Sequence, residues 1–205
     1  MESAVYGHDA SVTALAARMP DPYAVFVSTV VSLRTRDSVT ADVSDRVLEA
    51  YPDIFKLSGA DPEILAKLLH PAAFYRNKAK SLIRAAIRVI SEHKGRIPSD
   101  IESLLRLPGV GRKTAQLVRA EGFGLPAVCV DIHVHRISNR LGLCETRTPD
   151  ETELALTELF EKQDWNRINR IMVPFGQKIC LPVSPRCTRC PLQTSCPRYG
   201  VKRSR

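Results

Sequence analysis

The chain has 205 residues, 44% of them hydrophobic, 6% aromatic, and a formal charge of +8. That length supports one large domain or two small ones around a real core. The apolar run Ala24–Leu33 is far too short to span a bilayer and runs straight into Arg34 and Arg36, and no apolar stretch follows a basic start, so a soluble, intracellular protein without a membrane partner is expected.

Helical spacing dominates the first half. Ala24, Val27, Val30 and Val31 share one face. Asp37 or Ser38 is placed to cap a helix reaching Ala50, with Val39, Val43 and Val47 inward. Asp61-Pro62 opens another that ends near His70. Ala79–Ile90 reads as a long amphipathic helix through Leu82, Ile83, Ala86, Ile87 and Ile90, with Lys78, Lys80, Arg84 and Arg88 on its wet side. Two capping boxes follow, Ser99 with Glu102 and Thr148 with Glu151, the second with Pro149 at the first helical position. Between them lie a short helix through Leu104 and Leu105, a Gly turn, and a helix from about Arg112 to Glu121 that Gly122 and Gly124 end. Helices from about Ile132, and from Ile168 to Ile179, come next. Strand-like alternation is scarce and no repeat is present, so the fold class is all-α.

The C-terminal stretch is different. Pro174, Pro182, Pro185, Pro191 and Pro197 exclude long helices there. From Asn166 onward the charges are Arg167, Arg170, Lys178, Arg186, Arg189, Arg198, Lys202, Arg203 and Arg205, with no Asp or Glu. A basic segment this free of acids is either a solubilising tail or a surface for a polyanion, of which nucleic acid is the commonest.

Four cysteines punctuate this segment as C-x6-C-x2-C-x5-C: Cys180, Cys187, Cys190 and Cys196. Disulfides fit poorly with an intracellular chain. Zinc sites usually show two close pairs separated by a longer loop. Four thiolates from one short, proline-bent segment suit an iron–sulfur cubane better, with zinc as the alternative. Either metal would serve as the core that this segment lacks. Cys129 and Cys144 read as small hydrophobes.

The stretch "LPGVGRKTA", Leu107–Ala115, joins two helices through Gly109 and Gly111. Arg112 separates Gly111 from Lys113, so this is not a Walker loop, and a dinucleotide fingerprint lacks its third Gly and its strand. What remains is a tight turn presenting the N–H groups of Gly109, Val110, Gly111 and Arg112 to a phosphate, suited to gripping a DNA backbone without reading sequence. Lys113 is either one more phosphate contact or something else. In the first helical turn beside Arg112, dipole and neighbouring cation both disfavour an ammonium, which favours a nucleophilic amine. In "VDIHVHR", Asp131 follows the apolar run Ala127–Val130 and suits both a helix N-cap and a catalytic carboxylate.

Taken together, "LPGVGRKTA", "VDIHVHR" and the cysteine spacing resemble the endonuclease III family of bifunctional helix-hairpin-helix DNA glycosylases, over about Asp21–Tyr199. The resemblance implies a base excision repair enzyme that removes oxidised pyrimidines from duplex DNA and nicks the backbone by β-elimination. It implies two helical lobes with the lesion site in the cleft between them. One lobe maps to 21–125 and holds the hairpin, at about 99–122. The other maps to 1–20 with 126–205 and holds a 4Fe-4S cluster loop at 180–196. Lys113 becomes the nucleophile, Asp131 the essential carboxylate, and Cys180, Cys187, Cys190 and Cys196 the cluster ligands. Duplex DNA with damaged pyrimidines or abasic sites becomes the partner of a monomeric, cytoplasmic or nucleoid-associated protein.

Two segments match loops that fill the gap left by a flipped nucleotide. "SLRTRD" carries Arg34 where the family often has glutamine, and its paired donors favour guanine on the opposite strand. "FYRNKA" offers Phe74 as an apolar wedge, against the plainer role of core aromatic. Ile132 replaces a frequent threonine and reads as packing; His133 lies near the site; His135 and Arg136 are phosphate contacts or surface residues; Arg186 is a DNA-contact candidate. Three rivals are weighed. Adenine glycosylases of mismatch repair usually carry serine at the lysine position and a large extra domain. A mismatch thymine or uracil glycosylase of the same fold often carries tyrosine there. A non-catalytic helix-hairpin-helix binding module needs neither Lys113 nor Asp131.

Overall fold

The computed structural model describes residues 10–205, and among them all regular structure is helical, as the periodicity predicts. The described residues form two compact units, Ser11–Leu125 and Pro126–Arg205 with Ala10. The part of the sequence-expected second lobe at 1–9 lies outside the described residues.

The first unit is built around α2 (Pro22–Ser32). Tyr23 through Val31 are buried without a break, so this helix is enclosed on every side rather than on one face. Asp21 starts it by accepting the Ala24 N–H at 3.0 Å, with Pro22 at the first position. Helix α1 (Ser11–Arg18), which precedes the Asp21 boundary read from the sequence, groups with this unit and buries Val12, Thr13, Leu15 and Ala16. Helices α3 (Asp37–Ala50), α4 (Ile54–Ser58) and α5 (Pro62–Leu69) follow. Val43 and Val47 in α3 are fully buried, and Asp61 caps α5 as expected.

Helix α6 (Tyr75–His93) runs longer than its periodicity predicts. Its inner face is Lys78, Leu82, Ala85, Ala86 and Val89, whereas Ile87 points to solvent at 52% exposure. The expected wet position of Lys78 is therefore wrong: it lies one turn before Leu82 on the apolar face. Helix α7 (Ile101–Arg106) is capped by Asp100, whose carboxylate accepts the Ser103 N–H at 2.8 Å. The Ser99–Glu102 box is not formed, because a charged acceptor one residue later serves the helix start better. That bond holds the Asp100 carboxyl below its ordinary value. Helix α8 (Arg112–Leu117) continues into a wider turn at Val118–Gly122.

The second unit packs α9 (Ile132–Leu141), α10 (Pro149–Leu159) and α11 (Trp165–Lys178) around Val130, Val134, Ile137, Leu156, Met172 and Phe175. The Thr148–Glu151 capping box is present: the Glu151 N–H donates to Thr148 Oγ1 at 3.2 Å, and Glu151 accepts the Thr148 N–H at 3.4 Å. Gly176 allows α11 to approach α9, since a Cβ there would sit 2.7 Å from His133 Nδ1. Cys129 is buried as read, while Cys144 is half-buried with its sulfur 3.6 Å from Thr146 Oγ1. From Cys180 to Arg205 only Pro185 is buried.

Candidate active site

The hairpin between α7 and α8 is closed by the Val110 N–H donating to the Leu107 carbonyl at 3.1 Å. Gly109 is needed there twice over. Its φ is +82°, and a Cβ would lie 2.9 Å from Ser81 Cβ on α6. Gly111 differs from expectation: its φ of −101° suits any residue, and nothing stands within 4 Å of a Cβ there. Its part is to start α8 on open backbone. Lys113 is the second residue of α8 and half-buried, next to exposed Arg112.

Two other loops of this unit meet at one pocket. Arg34 and Phe74 both adopt left-handed backbone, each with φ 55°. For bulky residues that conformation costs roughly 1–3 kcal/mol and persists only where the surroundings over-determine it. Phe74 is 58% exposed, which rules out the core-aromatic role. The Arg34 guanidinium lies 5.5 Å from the centre of its ring. Both residues line an open pocket of about 310 Å³ together with Val30, Asn77, Lys78 and Gly109. Behind them, Lys78 is 5% exposed. Its ammonium donates to the carbonyls of Val31 and Leu33, each at 2.7 Å, and to Thr35 Oγ1 at 2.8 Å. Burial pulls its pKa down to about 8. Periodicity read from Leu82, Ala85 and Val89 would have placed Lys78 inside; its charge was the misleading signal.

In the second unit, Asp131 is the N-cap of α9. One carboxylate oxygen accepts the N–H groups of His133 at 2.8 Å and Val134 at 2.9 Å. The capping role is thus real, and it fixes the carboxylate's orientation. Ile132 beside it is 70% exposed, so the packing expected of it is absent. His133 Nδ1 lies 3.1 Å from Nη2 of Arg136. The same Nη2 donates to the carbonyls of Gly176 at 3.0 Å and Cys180 at 2.8 Å. His135 Nδ1 pairs with Thr152 Oγ1 at 2.6 Å. Neither His135 nor Arg136 is a bare surface group; both serve interior networks.

All four cysteines of the C-terminal quartet line one cavity, floored by Ile137, Leu141 and Phe175. Burial pushes the Cys190 thiol up, and the other three sulfurs add to that. None of the six cysteines is joined in a disulfide. Among the described residues no three His, Cys, Asp or Glu side chains gather around a single-ion position. Arg140, which the sequence did not single out, donates to Cys180 Sγ at 3.3 Å and to the Leu181 and Pro182 carbonyls at 2.7 and 2.8 Å. Arg186 is exposed and shares a surface pocket with Thr188, Arg189 and Arg205.

Comparison with known proteins places this all-helical chain, with its Gly hairpin, in a class of DNA repair proteins. Residues 27–162 match the HhH-GPD superfamily base excision DNA repair protein family. Endonuclease III of Thermotoga maritima is 46% identical over 179 residues, covering 87% of this chain and 84% of the relative. A solved structure of a trapped endonuclease III–DNA covalent intermediate, an estranged-adenine complex, has a TM-score of 0.82 at 34% identity, covering 87% and 84% of the two chains. A thermostable thymine-DNA glycosylase superposes with a TM-score of 0.79 at 24% identity, over 92% and 93%, and shows the shared fold. The chain belongs to the endonuclease III family. It is a base excision repair DNA glycosylase with AP lyase activity, and its partner is duplex DNA carrying damaged bases. No helix among the described residues is long and apolar enough to cross a membrane.

Proposed function

We propose that this enzyme removes oxidised pyrimidines, with Lys113 as nucleophile and Asp131 as the assisting carboxylate. The Lys113 amine attacks C1′ of the extruded nucleotide. The bond from C1′ to the base breaks, and the base leaves with the electron pair and takes up a proton. The attached nitrogen gives up its proton, the C1′–O4′ bond opens, and a Schiff base forms as O4′ is protonated. Loss of a proton from C2′ then expels the 3′ phosphate and nicks the strand. Asp131 stabilises the positive charge that develops on the sugar and relays protons from the lysine. Gly109, Val110, Gly111 and Arg112 hold the backbone phosphate, and His133 and Arg186 add further DNA contacts. Arg34 and Phe74 occupy the space that the extruded nucleotide leaves, and Arg34 favours guanine opposite the lesion.

Cys180, Cys187, Cys190 and Cys196 hold a 4Fe-4S cluster. Their shared cavity and the C-x6-C-x2-C-x5-C spacing from one short, proline-bent segment support a cluster over zinc. The cluster supplies rigid cross-linking to a segment with almost no buried side chains.

The observation that carries this proposal is the position of Lys113 in the first turn of α8, directly on the hairpin. Lys113→Gln is expected to abolish strand nicking while leaving affinity for damaged duplex nearly unchanged. Gel-shift and nicking assays on the same duplex decide it: a fall in affinity matching the fall in nicking makes Lys113 a phosphate anchor instead.

A further inference from the structure

The buried ammonium of Lys78 touches no residue given a chemical role above, yet it is the point where the Arg34 loop and the Phe74 loop are tied together. From α6 it reaches back across more than forty residues to the Val31 and Leu33 carbonyls and the Thr35 hydroxyl. Thr35 Oγ1 also accepts the N–H of Ala73, the residue before Phe74, at 3.2 Å, and donates to the Leu33 carbonyl at 3.3 Å. Arg34 is therefore flanked by two anchored residues, and Phe74 is preceded by one and followed by the helix that carries Lys78.

A purely apolar side chain would fill the same space next to Leu82, and a charge buried there is costly unless bonded. Retaining the ammonium makes sense if its bonds set the relative position of the two loops. Both Arg34 and Phe74 hold a backbone conformation that their own side chains disfavour, so something outside them must impose it. The three acceptors of Lys78 lie at the end of α2 and on the loop that follows it, and the fourth link, Ala73 to Thr35, closes the circuit to the other loop.

We infer that Lys78 is a positioning residue for base extrusion: through Thr35 it holds Arg34 and Phe74 at the mouth of one pocket so that they enter the duplex as a single unit. The inference rests on Arg34 and Phe74 entering the duplex, as proposed above. Lys78 contacts neither DNA nor the reacting atoms. Its loss loosens the pair of loops without altering the amine at position 113 or the hairpin, and the reaction suffers only where a base stack has to be opened.

The experiment compares two reactions in each variant: single-turnover release of an oxidised pyrimidine from duplex DNA, and borohydride trapping on a single-stranded abasic oligonucleotide, where no stack is opened. Lys78→Met is expected to slow duplex release roughly ten- to hundredfold, the range set by losing hydrogen bonds to a charged group. Trapping on the single strand should stay unchanged. Thr35→Val, which keeps the ammonium and the core, should act in the same direction by a smaller factor, and it carries the test if Lys78→Met folds poorly. Phe74→Ala serves as the reference for the loops themselves. Equal losses in both reactions for Thr35→Val and Lys78→Met would mean a plain structural role and overturn the inference. Unchanged duplex release in both, with a loss in Phe74→Ala, would overturn it while leaving the loop assignment standing. Unchanged duplex release in all three would remove the loop assignment and the inference with it.

Discussion

The hairpin unit and the cysteine-bearing tail are ordered by different means. In Ser11–Leu125 the helices close on each other through fully buried side chains such as Phe26, Leu57, Leu65, Leu69 and Leu82. From Cys180 onward one proline is buried, and the backbone is held by turn and loop hydrogen bonds such as Arg186 N–H to Ile179 at 2.9 Å and Arg205 N–H to Pro185 at 2.9 Å. Apolar burial, worth about 25 cal/mol per Å², contributes less in the second case, where side chains are at most half-buried apart from Pro185. The lesson is that a basic segment can hold its shape with one buried side chain, through turn hydrogen bonds and half-buried contacts; the proposed cluster would supply the core that it lacks.

The sharpest way to break that contrast is Cys190→Ser. It is expected to abolish the visible absorbance of the cluster, expose the tail to proteases and weaken DNA binding strongly, while the hairpin unit keeps its helical circular dichroism. Full DNA affinity in a colourless protein would show that the tail is ordered without a metal.

A second test falls on the one cation buried in the hairpin unit. Lys78 titrates near 8 in the fold, pulled down by burial from 10.5. Below pH 8 it is charged in both folded and unfolded chains, and the burial cost stands in full. Between pH 8 and 10.5 the folded chain releases this proton while the unfolded chain keeps it. The stability of the parent protein relative to Lys78→Met should then rise with pH, by on the order of 1 kcal/mol per pH unit. Urea titrations across that window check it; a difference that falls with pH would mean that the bonds to Val31, Leu33 and Thr35 outweigh burial.

A third and smaller effect separates the helical part of the second unit from its tail. Thr148→Ala removes one side of the capping box of α10 and should cost about 1 kcal/mol. Cluster absorbance should not change, since α10 contributes no residue to the cysteine cavity. Loss of colour together with stability would mean that the two regions unfold as one.

These contrasts also explain what the sequence disclosed. Local signals were legible: the caps at Asp61 and Thr148, the all-helical class, the hairpin at Gly109 and the N-cap at Asp131 all rest on neighbours within a few residues. Features set by distant partners were not. Lys78 looked solvated because its charge masked its inward place in the helical period, and the acceptors that satisfy it lie forty-three to forty-seven positions earlier. The left-handed backbone of Phe74 and Arg34 was not legible, because nothing in their identity announces it. Arg140 meets Cys180 forty positions away, across a turn that no periodicity describes. Ser99 misled for a local reason: Asp100 stood beside it and was the better cap.

The central claim concerns one amine. Incubation with duplex DNA containing an oxidised pyrimidine, in the presence of borohydride, followed by proteolysis and mass spectrometry, should yield a single DNA-bearing peptide with the adduct on Lys113 Nζ. A trapped adduct mapped to any other amine, or nicking that proceeds undiminished in Lys113→Gln, would contradict the account.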